Sequence, residues 1–254
     1  MISAPTGSGK TLAAFLICLD RLVTEATAHG ALDDQIDVYL PGDTSALGSP
    51  LTIHGGSNQT TYVSSPGDHT GSADLPVDST ATTWFFLSRV EAMAPAAVGA
   101  VALFGDSITD GDGSTDDANN RWPDYLARRL ADANIPTGVL NLGISENRVL
   151  SDGLGVSALA RFDRDVLAQA GLTHVVVLEG INDIGLVLNQ LGLPRSASLP
   201  MPEDIIFGHE QLITRARSHG LSVYGATFFA FCGDLVGRRG LLEPRWRRDT
   251  ASHQ

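Results

Sequence analysis

A serine follows an apolar segment directly in the run from Val101 to Gly111, which reads VALFGDSITDG. The apolar residues predict a buried strand, and Ser107 comes just after its carboxyl end. Open α/β sheets bind their ligands beyond the carboxyl ends of the strands. A serine hydroxyl in such a place can serve as a nucleophile. A lone Gly-Asp-Ser could equally be an ordinary polar loop, so the interpretation depends on the segments that follow.

Two further strand-like segments end in similar polar loops, NLGISENRVL at 141–150 and LEGINDIG at 178–185. Together with GDSITDG, the glycine of NLGIS and the GIND run match, in order and spacing, the first three sequence blocks of the GDSL or SGNH hydrolases. The flanking runs RWPDYLARRL, ARFDRDVLAQAG and RARSHGLSVYGAT resemble the bacterial esterase branch of that family. The resemblance covers roughly Asp37 to Phe231.

The resemblance implies a role for each block. Ser107 would attack an acyl carbonyl and form an acyl-enzyme. Its own N–H, the N–H of Gly143 and the side-chain amide of Asn182 would form the oxyanion hole. The expected substrates are small acyl esters or acylated carbohydrates, with no metal and no organic cofactor. Taken alone, Gly143 could be a turn glycine and Asn182 a helix N-cap.

Strand-like and helix-like segments alternate after Ala100, which predicts a parallel sheet with helices on both faces. We therefore expect an α/β fold, with the three-layer parallel sheet of the SGNH-hydrolase (flavodoxin-like) type, in a domain spanning 96–232. All three loops should then open on one edge of the sheet. Residues 31–95 contain short β-rich runs between Gly, Pro, Asp and Ser clusters, and predict a small module of hairpins. The predicted strands are Val101–Phe104, Val139–Leu142, His174–Leu178 and Ser222–Phe229, and the predicted helices lie near Asn119–Ala133, Val156–Ala170 and Glu203–Ser218.

The C-terminal part departs from the family pattern. Relatives carry the general base on an Asp-x-x-His loop, and this sequence contains no such run. The nearest imitation is Asp249-Thr-Ala-Ser-His253, one residue too long, in an irregular basic tail at 233–254. We expect an enzyme truncated at this end and impaired by loss of the block, with His253 as a weak candidate base. The alternative is a catalytically inactive carbohydrate- or acyl-binding relative of the same fold.

Residues 1–30 differ in character from the rest of the chain. They contain Ala4-x-x-x-x-Gly9-Lys10-Thr11, which resembles the phosphate-binding motif I of superfamily 2 helicases. Such a loop follows a strand and works with an acidic Mg²⁺ site, and neither is evident here. We interpret the segment as a helicase-like fragment or foreign extension. A signal peptide and a nucleotide-dependent function are the competing interpretations.

Composition excludes several function classes. The chain has 254 residues and a formal net charge of −12, which argues against nucleic-acid binding because phosphates require clustered Lys and Arg. No apolar run approaches the roughly 20 residues that cross a bilayer. The two cysteines, Cys18 and Cys232, lie far apart and do not predict a disulfide framework. Neither the oligomeric state nor the compartment can be read from these features.

Overall fold

A computed structural model describes residues 38–40, 53–72, 74–85, 98–184 and 200–227. The strands are β1 (Ile53–His54), β2 (Thr61–Ser64), β3 (Val77–Ala81), β4 (Trp84–Phe85), β5 (Gly99–Gly105), β6 (Thr137–Gly143), β7 (Leu172–Leu178) and β8 (Ser222–Gly225). The α-helices are α1 (Ser107–Asp110), α2 (Trp122–Asp132), α3 (Ala158–Phe162) and α4 (Pro202–Ser218), and a π-helical turn, Asp163–Leu167, continues α3.

The four later strands form one parallel sheet in the order β6-β5-β7-β8. Strand β5 is therefore an inner strand, and Ser107 follows it in the chain. Gly105, at the end of β5, pairs with Gly143 of β6 and with Leu178 of β7. The loops that follow these three strands consequently leave the same edge of the sheet, as the sequence predicted.

The main core lies on one face of this sheet. Ala102 and Phe104 of β5 and Val175 of β7 are fully buried there with Phe162 of α3 and Leu212 of α4. Side chains alternate between faces along a strand, so Leu103, which is also fully buried, points to the opposite face. Helix α2 packs against β6, which is an edge strand in this order. The predicted α/β class is confirmed.

The predicted elements of the sheet domain are confirmed with small shifts in their bounds. The helix predicted near Val156–Ala170 begins at Ala158 and changes to a π-helical turn at Asp163. The strand predicted at Ser222–Phe229 ends at Gly225, and positions 228–229 lie outside the described residues. The helicase-like fragment at 1–30 and the tail at 233–254 lie outside the described residues.

Two small antiparallel sheets, β1 with β4 and β2 with β3, precede the parallel sheet. The segment between β1 and β2 contacts the loop that follows α1. The side-chain amide of Asn58 donates to the carbonyl of Gly111 at 2.9 Å. The backbone N–H and the hydroxyl of Thr60 both donate to the Asp117 carboxylate at 2.7 Å. This polar contact links the β-rich segment to the loop beyond the candidate nucleophile.

Candidate active site

Ser107 is the first residue of α1, immediately beyond strand β5. Asp106 precedes it as the N-cap, and its side chain accepts a hydrogen bond from the backbone N–H of Ile108 at 2.9 Å. The helix ends after one turn at Gly111, whose N–H donates to the Ser107 carbonyl at 2.8 Å with a left-handed φ of 105°. Capping at both ends fixes the backbone around Ser107, which is half-buried.

Two paired glycines allow α1 to lie directly on the ends of the strands. A Cβ on Gly143 would fall 2.1 Å from the backbone nitrogen of Asp110, and a Cβ on Gly105 would fall 2.7 Å from the Leu178 carbonyl oxygen. Such distances are too short for any side chain. The glycine in NLGIS therefore has a packing role, because it lets the turn that carries Ser107 approach the sheet.

The backbone N–H of Gly143 is already hydrogen-bonded in this structure. It donates to Oδ1 of Asn141 at 3.0 Å, and the Asn141 amide in turn donates to the carbonyl of Asp110 at 3.3 Å. For Gly143 to donate to a substrate oxygen, Asn141 would have to release it. Sequence reasoning missed Asn141, although it lies in the same NLGIS run.

Asn182 lies in the loop after β7. Its side-chain amide donates to the backbone carbonyl of Asn147 at 2.9 Å, which uses one of its two N–H groups. The next residue, Asp183, accepts from the backbone N–H groups of Val149 at 2.8 Å and Leu150 at 3.2 Å. The loops after β6 and β7 are thus joined by hydrogen bonds from neighbouring residues of the GIND run.

Two buried carboxyl groups, those of Asp106 and Glu179, lie next to the ends of β5 and β7. Burial raises the pKa of Asp106 to about 6, against the hydrogen bond from Ile108 that lowers it. Burial also raises the pKa of Glu179 to about 8, although the Arg161 guanidinium 3.4 Å away lowers it. The nearby carboxyls of Asp106 and Asp183 add to the rise. Among the residues that the structure describes, one oxygen each of Asp106 and Glu179 is buried without a hydrogen-bond partner.

Two of the described histidines have side-chain partners other than Ser107. His54 Nε2 contacts Asp110 Oδ1, and Ser145 donates to the other oxygen of Asp110 at 3.1 Å. His174 pairs with Thr173 at 2.7 Å, and burial lowers the pKa of His209. Within the described ranges no histidine is hydrogen-bonded to Ser107. The weak candidate base, His253, lies outside them, as does Lys10.

Two further properties concern only the part of the chain that the structure describes. There, no group of three or more His, Cys, Asp or Glu residues is placed to hold a metal ion. No helix in those ranges is both long enough and apolar enough to cross a membrane.

The parallel sheet carries a capped serine turn directly after the inner strand β5, while Gly143 ends the neighbouring strand β6 and Asn182 lies in the loop after β7. The sequence matches the GDSL-like Lipase/Acylhydrolase family over residues 103–252. This match spans more than half of the chain, so the protein belongs to that family. No curated protein matches the chain.

Several solved structures are similar to this chain at low identity. AlinE4, an SGNH-hydrolase family esterase, is 18% identical, with a TM-score of 0.40, over 53% of this chain and 60% of its own. TesA is 25% identical, with a TM-score of 0.38, over 50% and 58%. A form of an acetyl xylan esterase from Geobacillus stearothermophilus is 23% identical, with a TM-score of 0.40, over 51% and 61%. The chain therefore spans about three fifths of the length of these structures.

Proposed function

We propose that this protein is a serine esterase that hydrolyses carboxylic esters, either small acyl esters or acylated carbohydrates, through an acyl-enzyme on Ser107. The observation that carries the proposal is the strand register, which puts the ends of β5, β6 and β7 in one row. Ser107 follows the end of β5, Gly143 is the last residue of β6, and Asn182 lies in the loop that follows β7. Membership of the acylhydrolase family supports the reaction class.

The proposed chemistry begins with attack of the Ser107 oxygen on the ester carbonyl carbon, as the hydroxyl proton passes to a base. The tetrahedral oxyanion would be bound by the Ser107 N–H and by the second N–H of the Asn182 amide. Gly143 would contribute its N–H if Asn141 turned away. Collapse expels the alcohol, which takes up a proton, and water then cleaves the acyl-enzyme. Each oxyanion donor typically contributes ~10²–10³ in rate.

The sequence contains no Asp-x-x-His run, and the described residues place no histidine on Ser107. These observations favour an enzyme of low activity, and they also support the second candidate, a catalytically inactive carbohydrate- or acyl-binding relative. The small-molecule ester is the partner that we propose in either case.

Covalent labelling separates the two candidates. We expect a fluorophosphonate to add one phosphonyl group to Ser107, detected as a mass shift of the tryptic peptide, and Ser107→Ala to abolish both labelling and hydrolysis of short p-nitrophenyl esters. Thr109→Ala is the matched control, because it removes a neighbouring hydroxyl from the same turn. An unlabelled wild-type chain that binds an acylated sugar would favour the inactive relative. Hydrolysis that survives Ser107→Ala would overturn the assignment of the nucleophile.

A further inference from the structure

Arg161 is a charged residue in the interior of the protein. It belongs to α3, and only 1% of its surface is exposed. Burying a guanidinium is strongly unfavourable unless its charge and its donors find partners. Its planar fork carries five N–H donors at fixed angles, so the partners that satisfy it are also held at fixed positions relative to one another.

The partners of Arg161 lie at the strand ends that form the candidate site. Nη2 donates to the carbonyl of Gly105 at 3.0 Å, and Nη1 donates to the carbonyl of Leu142 at 2.9 Å. Gly105 is two residues before Ser107, and Leu142 directly precedes Gly143. The side chain of Arg161 therefore connects the end of β5 to the end of β6 through two hydrogen bonds.

The third donor of Arg161 reaches the loop that holds Asn182. Nε donates to Oδ1 of Asn147 at 2.9 Å, and the backbone carbonyl of that same residue accepts the Asn182 amide. Asn147 is 1% exposed, and its own amide donates to Val156 at 2.9 Å. Arg161 is thus two hydrogen bonds away from the proposed oxyanion donor.

Two further carboxyl oxygens and an aromatic ring contact the guanidinium in this position. Glu179 Oε1 lies 3.4 Å from Nη2, and Asp165 Oδ2 lies 3.3 Å from Nη1. The guanidinium carbon lies 3.9 Å from the centroid of the Phe104 ring. Stacking of this kind suits the flat guanidinium better than an ammonium, so a lysine would not reproduce the arrangement.

We propose that Arg161 is the positioning residue of the active site, setting the distances between the Ser107 turn, the Gly143 strand end and the Asn182 amide. It does not touch substrate and acts only through Gly105, Leu142 and Asn147. The inference rests on the proposed function for its catalytic consequence. A displacement of about 1 Å among reacting groups can cost ~10²-fold in rate, which is the size of effect expected here.

The test compares Arg161 with an arginine of similar local chemistry away from the strand ends. Arg215 of α4 donates to the Leu159 carbonyl and to Asp163, each at 3.0 Å, and lies 5.4 Å from the Phe162 ring. Arg215→Met is the matched control. The principal variant is Arg161→Met combined with Glu179→Gln, which removes the guanidinium together with the ionisable group of the buried carboxyl that it contacts, so that no charge is left at either position.

The first measurement is the rate of fluorophosphonate labelling of Ser107, together with the urea midpoint of each variant. We expect the double variant to label ~10²-fold more slowly, Arg161→Lys to recover part of that loss, and Arg215→Met to label like wild type. If the double variant unfolds, Arg161→Lys is compared with wild type instead. We expect Arg161→Lys to stay folded and to label at least several-fold more slowly than wild type. A folded Arg161 variant that labels at the wild-type rate would overturn the inference.

Backbone hydrogen exchange provides a second measurement, which does not depend on whether Ser107 reacts with the fluorophosphonate. We expect faster exchange in peptides covering 105–110 and 141–147 in the Arg161 variants but not in Arg215→Met. If the wild-type chain never reacts with the phosphonate, the proposed function fails and exchange alone decides the inference. Unchanged exchange in both peptides would then overturn it.

Discussion

The side-chain amide of Asn182 donates to the backbone carbonyl of Asn147 at 2.9 Å, joining the loop after β7 to the loop after β6. This bond fixes the rotation of the Asn182 amide, and its second N–H makes no hydrogen bond to the residues that the structure describes. An amide group held in this way is ready to donate to an oxyanion without reorganising, which is the condition under which such donors are most effective.

We expect Asn182→Ala to lower kcat by ~10²–10³ with a smaller change in KM, because an oxyanion donor binds mainly the transition state. Steady-state hydrolysis of p-nitrophenyl acetate measures both constants. Asn182→Leu is the companion variant, since it keeps a side chain of similar shape without charge but removes the donor, and it should lose a similar factor. A change in KM alone would instead mark Asn182 as a substrate-binding or loop residue.

Gly143→Ala should destabilise the protein by several degrees in Tm, because its Cβ would lie 2.1 Å from the Asp110 nitrogen and push α1 away from the sheet. Gly138→Ala is the matched control in the same strand, where the Cβ would meet Ala100 at an ordinary 3.6 Å. Differential scanning calorimetry of the two variants gives the comparison. Equal melting temperatures would show that α1 does not depend on a glycine at position 143.

Glu179→Gln should flatten the dependence of stability on pH. The pKa of Glu179 is about 8 in the folded protein against an ordinary value of 4.5, so the folded state binds this proton more tightly. Its contribution is fully present below about pH 4.5 and is lost as the pH rises through about 8. Urea midpoints between pH 5 and pH 9 should fall in the wild type and fall less in the variant.

Asp106→Asn is the companion variant for that experiment. The Asp106 carboxyl has a pKa of about 6 in the folded protein against an ordinary value of 3.8. Its contribution to stability is therefore also lost as the pH rises, but at lower pH, between about pH 4 and 6. If the two variants flatten different parts of the curve of urea midpoint against pH, each pH range of lost stability can be assigned to one carboxyl group. A Glu179→Gln curve parallel to that of wild type would contradict the raised pKa.

The pH dependence of the reaction tests whether a histidine serves as the base. Because no histidine within the described ranges is hydrogen-bonded to Ser107, we expect slow ester hydrolysis whose rate rises with pH and shows no plateau above a histidine pKa near 6.5. Serine hydrolases that lose one member of the triad still retain roughly 10³–10⁴ over the uncatalysed rate. We expect His253→Ala to change this rate little. Ordinary turnover that His253→Ala destroys would show that His253 is the base.

The sequence was sufficient to predict which strands form the sheet and at which edge of the sheet the three motif loops lie. Strand and helix signals are local, and parallel strands joined by helices must end at one edge, so Ser107 and the loops of Gly143 and Asn182 could be placed there. The structure confirms this order through the pairing of Gly105 with Gly143 and Leu178. The roles of the three residues stay predictions.

The partners of individual side chains could not be predicted in the same way. Arg161 reads in the sequence as one more charged residue of a helical segment, and Asn141 as a strand residue beside a turn. Arg161 contacts Gly105 across 56 positions of the chain, and the choice of that partner depends on how α3 packs against β5. Sequence alone determined the elements and the nucleophile candidate, because those follow from local patterns. The tertiary structure decided which groups hold the site together, because a buried charge takes whatever donors and acceptors the packed core brings within reach.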